Sequence, residues 1–153
     1  MCIIIDANVT GDLLPPSDDA QPIIDAIQER KMFLVIGGEN TRELSVNRRV
    51  GQWLRELLRA NVARVVPKSD IEREEKILLE LRQHQSNDVH ILALARASGA
   101  RLLFSRDNAL GQDFKNKSVL DTPRGTVYKR RSHAHLLKSA PCRRRRPTHS
   151  PVS

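Results

Sequence analysis

Short apolar runs alternate with longer amphipathic stretches along this chain, and most runs are bounded by Gly, Pro or a capping residue. Cys2 to Ile5 reads as a buried strand. Leu13-Leu14-Pro15-Pro16 reads as a loop ending on the cap Ser17. Pro22 then falls early in a helix, where its missing N–H is tolerated, and Ile23, Ile24 and Ile27 supply the apolar face. Phe33 to Ile36 is a second strand, broken by Gly37-Gly38. From about Thr41 the period changes to that of a helix. Val46, Val50, Trp53, Leu54, Leu57 and Leu58 form its buried side, with Arg48, Arg55 and Arg59 opposite.

Val62 to Val66 gives a third strand ending at Pro67, after which Ser69-Asp70 caps an amphipathic helix bearing Ile71, Ile77, Leu78 and Leu81. Ser86-Asn87 caps the next helix, which runs through Ile91, Leu92, Leu94 and Ala95 to a stop at Gly99. Arg101 to Ser105 is a fourth strand, and Thr126 to Lys129 a last one. Strands that alternate with helices predict a mostly parallel sheet covered on both faces. The expected fold class is therefore a three-layer α/β/α sandwich with 4–5 strands.

The acids fall at informative places in this pattern. Asp6 follows Ile3-Ile4-Ile5, Glu43 follows Gly37-Gly38, Asp88 opens the helix after Asn87, and Asp107 and Asp113 follow Phe104-Ser105. In open α/β sheets the carboxyl ends of strands and the adjoining helix starts meet in one crevice. Carboxylates crowded there repel one another unless a cation lies between them. Without a His or Cys cage, oxygen ligands favour Mg²⁺ or Mn²⁺ and phosphodiester hydrolysis. Each acid also has a structural reading. Asp6 suits a strand-ending turn, Glu43 and Asp88 suit first helical turns, and Asp107 and Asp113 lie in a polar stretch.

Charge separates the chain into two parts. The whole carries +8, yet residues 1–121 are net −1 and residues 122–153, which contain no acid, are net +9. Basic arms attract polyanions through phosphate contacts and counterion release. The expected organisation is a domain over residues 1–130 and a basic, disordered tail over 131–153. Lys129, Arg130 and Arg131, the run Arg143-Arg144-Arg145-Arg146, and Arg48 and Arg55 on the helix are the candidate nucleic-acid contacts. Tyr128 among those cations suggests a base-stacking platform. His133 and His135 alternate as in an extended segment but lack a third ligand of matching type. Cys2 and Cys142 have neither zinc nor redox spacing, so reduced thiols in a cytoplasmic setting are expected. No apolar run reaches bilayer length, and no membrane association is expected.

Ile-Ile-Ile-Asp-Ala-Asn at 3–8, Gly-Gly with Arg-Glu-Leu following at 37–44, Asn-Asp-Val-His-Ile-Leu-Ala-Leu-Ala at 87–95 and Leu-Phe-Ser-Arg-Asp at 103–107 together resemble the PIN domain. The resemblance covers roughly residues 1–130. It implies a metal-dependent endoribonuclease, a toxin of a toxin–antitoxin pair or an enzyme of RNA processing or phage defence. It further implies Asp6, Glu43, Asp88, Asp107 and Asp113 as metal-binding catalytic acids, with Glu39 competing with Glu43 and Asp107 with Asp113. Asn8 and Ser105 would support the acids. RNA is the implied substrate, an antitoxin a partner, and a homodimer the implied assembly. Two other readings stand beside this one. A phosphatase-like enzyme of the haloacid dehalogenase type would need an acid at position 8, which is Asn8. A non-enzymatic RNA- or protein-binding module would bind without the acids.

Overall fold

The computed structural model describes residues 1–142. The proposed contacts Arg143, Arg144, Arg145 and Arg146 lie outside the described residues. In chain order the elements are β1 (Cys2–Ile5), a 3₁₀ helix (Ala7–Asp12), α1 (Gln21–Gln28), β2 (Phe33–Ile36), α2 (Gly38–Leu44) and α3 (Arg48–Arg59). Then come β3 (Ala63–Val65), α4 (Lys68–Leu81), α5 (Val89–Ser98), β4 (Leu102–Phe104), α6 (Asn108–Lys115), β5 (Thr126–Tyr128) and a second 3₁₀ helix (Arg131–Lys138).

The five strands form one sheet in the order β3-β2-β1-β4-β5, and every pairing is parallel. Strand alternation divides the core between the two faces. Ile3 and Ile5 pack with Ile23, Ile27, Val50 and Leu54 of α1 and α3. Cys2 and Ile4 pack with Ile71, Leu78, Ile91 and Leu94 of α4 and α5. The expected three-layer α/β/α architecture is thus the one observed. Ile3, Ile4 and Ile5 are all fully buried, each side chain contributing roughly 1.5–3 kcal/mol by burial. This anchors the strand end from which Asp6 projects.

From β1 the chain builds outward through β2 and β3, then crosses to the other side of β1 to add β4 and β5. The order reverses between β1 and β4. A crevice therefore opens at their carboxyl ends, where an α/β sheet binds ligands.

Several expectations change. The helix anticipated from Thr41 through Leu58 is two helices, because the Asn47 side chain accepts N–H bonds from Arg49 and Val50 at 3.1 and 3.2 Å and starts α3 afresh. Val46 falls in the break and is 80% exposed instead of buried. On α4, Leu81 is exposed, whereas Glu74 takes a buried place between Ile71 and Leu78 and pairs with Arg96 at 2.9 Å. The stretch after Asp107 forms α6.

The domain also continues past residue 130. Residues 131–138 form a helix packed on α1 and β5, and the Ala140 carbonyl accepts the Cys2 N–H at 3.3 Å. The disordered tail expected from residue 131 is therefore corrected for residues 131–142. Cys2 and Cys142, far apart in sequence, have Cα atoms 5.0 Å apart and are joined as a disulfide. The expectation of free thiols is likewise corrected. Among the described residues, no helix is long and apolar enough to cross a membrane.

Candidate metal and nucleic-acid site

Asp6 and Ser105 end the two strands that flank the reversal. The Ser105 hydroxyl donates to Asp6 Oδ2 at 2.8 Å and accepts the Asp107 N–H at 3.0 Å. Below it, the Asp6 N–H donates to the Phe104 carbonyl at 3.0 Å, continuing the β1–β4 ladder. One buried hydroxyl thus sets the spacing between a strand-end carboxylate and the loop that carries Asp107. Asn8 is exposed, and its backbone N–H bonds to the Asp6 carboxylate. Its contribution comes from the main chain, not the side chain.

The acids sense one another. Burial first, then the charges of Asp88 and Asp107, push the Asp6 carboxyl above its ordinary value, against the lowering effect of the Ser105 and Asn8 hydrogen bonds. Asp88 is also raised, mainly by burial, with Asp107 and Glu43 adding to the shift and His90 opposing it. Four acids from four distant segments therefore share one electrostatic neighbourhood: Asp6, Glu43, Asp88 and Asp107. Such mutual destabilisation of the charged forms is typical of a functional cleft.

The acids differ in their local commitments. Asp88 occupies the N-cap position of α5 but makes no side-chain cap bond, so its carboxylate is not used by the helix. Asp107 caps α6 through Oδ1, which accepts the Leu110 N–H at 3.0 Å. Glu43 lies in the last turn of α2, not in a first turn as the longer helix would have put it. A negative charge there gains nothing from the helix dipole. Its partner is His90, with Nε2 at 2.8 Å from Glu43 Oε1.

Glu39 is the residue in the first turn of α2, and it pairs with Arg42 on the exposed surface, which lowers its pKa. Of the two, Glu43 is the acid whose charge acts on Asp88. A close approach makes α2 possible. A Cβ on Gly37 would stand 2.8 Å from Ile71 Cδ1 and 2.9 Å from the Val66 carbonyl oxygen, so only glycine lets the chain turn there.

Asp113 does not join the group. Its Oδ1 accepts the Gln85 N–H at 2.8 Å and its Oδ2 the Ser86 N–H at 2.7 Å, in a setting where Asp113 is only 2% exposed. It organises the loop that leads into Asp88, and its role as a ligand is corrected to this structural one.

The basic candidates also separate. Lys129 Nζ donates to Asn108 Oδ1 at 2.6 Å, and Arg130 is exposed beside it; both line a cavity of about 460 Å³ with Asp19 and Arg106. Arg131 is occupied by the loop before α1, its N–H donating to Asp19 Oδ1 at 2.9 Å and its guanidinium to the Asp18 carbonyl at 3.3 Å. Arg48 and Arg55 are exposed on α3. Arg48 opens that helix, and Arg55 stands about two turns further along it.

Tyr128 is fully buried, with its hydroxyl donating to the Asp19 carbonyl at 2.5 Å and its pKa pushed up to about 12 by burial. It is a core residue and offers no surface for base stacking. His133 and His135 lie on the second 3₁₀ helix, not in an extended segment, and His133 Nδ1 accepts the Lys129 N–H at 3.0 Å.

His90 and Asn40 are the residues sequence reasoning did not single out. His90 lies two positions after Asp88, a register that places it over Glu43. Asn40 is fully buried and donates through Nδ2 to the Ile5 carbonyl at 2.9 Å, tying α2 to the end of β1, while its Oδ1 has no partner. Its burial is set by the fold and is not visible in the sequence, where Asn40 is one polar residue among others.

Among the described residues, no three His, Cys, Asp or Glu side chains stand together closely enough to hold a metal ion as placed. In donor chemistry the set still fits a hard divalent cation. Burial, with neighbouring carboxylates adding to it, holds Asp6 and Asp88 above their ordinary pKa values, and hydrogen bonds engage only one oxygen each of Asp107 and Glu43 among the described residues. The chain matches no family model, no curated protein and no solved structure.

Proposed function

We propose that this chain is a metal-dependent endoribonuclease of PIN type, hydrolysing RNA phosphodiester bonds at the β1–β4 crevice. The observation that carries the reading is the convergence of Asp6, Asp88, Asp107 and Glu43, with the pKa values of Asp6 and Asp88 raised first by burial and then by the acids around them. Asp6, Glu43, Asp88 and Asp107 would hold Mg²⁺ or Mn²⁺, and such an ion, when bound, supplies Lewis-acid stabilisation of the phosphoryl charge and a more acidic water.

The chain's own residues have separable tasks. Ser105 orients Asp6, and His90 orients Glu43. Asp88 is unused by its helix and its pKa is raised, first by burial, which makes its carboxylate a stronger base to accept the proton of an attacking water within hydrogen-bond reach where it is not itself bound to metal. Lys129 and Arg130 supply phosphate contacts beside the acids. A role as the toxin of a toxin–antitoxin pair, or in defence, extends the same proposal. An antitoxin would then cover this crevice or insert a cation among the acids.

Titration calorimetry with Mn²⁺ tests the reading. Wild type should bind the ion, and Asp6→Asn and Asp88→Asn should each weaken binding at least tenfold. Equal Mn²⁺ affinity in all three proteins would remove the basis for the proposal.

A further inference from the structure

We propose that the RNA strand is gripped on one flank of the crevice only, with backbone phosphates held by Lys129 and Arg130 in a cavity that Arg106, Asn108 and Asp19 also line. This deepens the ribonuclease reading by assigning its substrate track, and its chemistry rests on that reading although the binding itself does not. The cavity, of about 460 Å³, has room for a phosphate and its waters. Two of its lining residues, Arg106 and Asn108, flank Asp107 in the chain. Arg106 precedes Asp107, Asn108 opens α6, and Lys129 follows β5 at the same carboxyl edge of the sheet.

The charges on this wall are not balanced within the protein. Arg106 is shared between Asp12 at 2.5 Å and Asp19 at 3.3 Å. Lys129 meets only the neutral Asn108 amide oxygen, and Arg130 makes no ion pair among the described residues. Two cations thus remain free to neutralise phosphate. The field is felt nearby: burial, then Arg130, His135, Lys129 and Lys115, lower the pKa of His133.

The other flank has the opposite character. A groove of about 420 Å³ between α2 and α4 is lined by Glu39, Arg42, Lys68, Glu72 and Glu75. There Arg42 is paired with Glu39, and Lys68 faces Glu72 at 3.8 Å, leaving Glu75 in excess. In the strand order β3-β2-β1-β4-β5 this groove lies on the β2 side of Asp6 and the basic cavity on the β4–β5 side. A polyanion crossing the acids is attracted on one side and repelled on the other.

The test measures binding without cleavage. The full chain is titrated in EDTA against a short fluorescein-labelled single-stranded RNA over a range of KCl concentrations, following anisotropy. On single strands each neutralised phosphate contributes about 0.7 to the slope of log K against log salt. Lys129→Ala/Arg130→Ala should lower that slope by about 1.4, and the charge reversal Arg130→Glu at an exposed position should weaken binding further. Arg42→Ala/Lys68→Ala should leave the slope unchanged. An unchanged slope in Lys129→Ala/Arg130→Ala, equal losses in the two double variants, or no RNA binding by the wild type overturns the one-sided track. Loss of slope without any cleavage by wild type in Mn²⁺ would instead overturn the ribonuclease reading and leave the track standing.

Discussion

The Ser105 hydroxyl donates to Asp6 Oδ2 at 2.8 Å, joining the ends of two strands whose residues lie 99 positions apart in the chain. The same oxygen accepts the Asp107 N–H, so a single fully buried side chain holds two members of the acidic group in register. Removing the hydroxyl leaves a buried carboxylate and a backbone N–H without their partner, at a cost of about 1–3 kcal/mol. Ser105→Ala should lower stability by that amount in urea melts and lower RNA cleavage by at least tenfold. Ser105→Thr, which keeps the hydroxyl, should recover most of both.

Asp6 should act against stability at neutral pH. Its pKa is raised in the folded state, so the folded protein holds this proton more tightly than the unfolded chain does. Stability therefore falls as pH climbs from the ordinary carboxylate range through the folded value, and the loss is complete above it. Asp6→Asn should raise the melting temperature at pH 7, and the gain should vanish in strong acid. Thermal melts of both proteins across pH decide this, and a variant less stable than wild type at pH 7 would be the contrary result.

Asp113 should separate from the other acids in every assay. It satisfies the Gln85 and Ser86 N–H groups from a buried position, so Asp113→Ala should destabilise the fold by about 1–3 kcal/mol. Its Mn²⁺ affinity, measured on folded protein, should match wild type. A loss comparable to that of Asp88→Asn would return Asp113 to the ligand set.

His90→Ala should free Glu43 from its 2.8 Å contact and lower activity by about 10–100-fold, the usual effect of losing an orienting partner. His90→Gln, which retains a donor at similar reach, should lose less. Equal activity of wild type and His90→Ala would show that Glu43 needs no such support.

The two cysteines give a prediction independent of function. Paired across the ends of the described chain, they should yield no free thiol in denaturant without reductant, and two after reduction. Closing so long a loop stabilises by about 2–5 kcal/mol, so reduction should lower the melting temperature by several degrees.

Strand positions and the parallel α/β class were legible because the strands are short, largely apolar runs, most of them with Gly or Pro close by. The Ile3-Ile4-Ile5-Asp6 run carried the most information, since an acid after a fully buried strand has few structural reasons to be there. Less local features were hidden. Asn47 reads as one polar residue within a helical period, and only its hydrogen bonds to Arg49 and Val50 reveal that it begins a new helix. The role of Asp113 depends on backbone N–H groups 27 and 28 positions away. The Cys2–Cys142 pairing depends on the last described residues returning beside the first strand, which no spacing rule encodes. Tyr128 looked like a surface stacker among cations, although strand alternation was equally compatible with its burial between Phe104 and His133.

Cleavage of a labelled single-stranded RNA by wild type and Asp6→Asn, in Mg²⁺, in Mn²⁺ and in EDTA, tests the central claim most directly. The account predicts cutting by wild type only with metal, no cutting by Asp6→Asn, and RNA binding retained in both. Metal-independent cutting, cutting by Asp6→Asn equal to wild type, or RNA binding by both proteins with no cutting under any condition would contradict it.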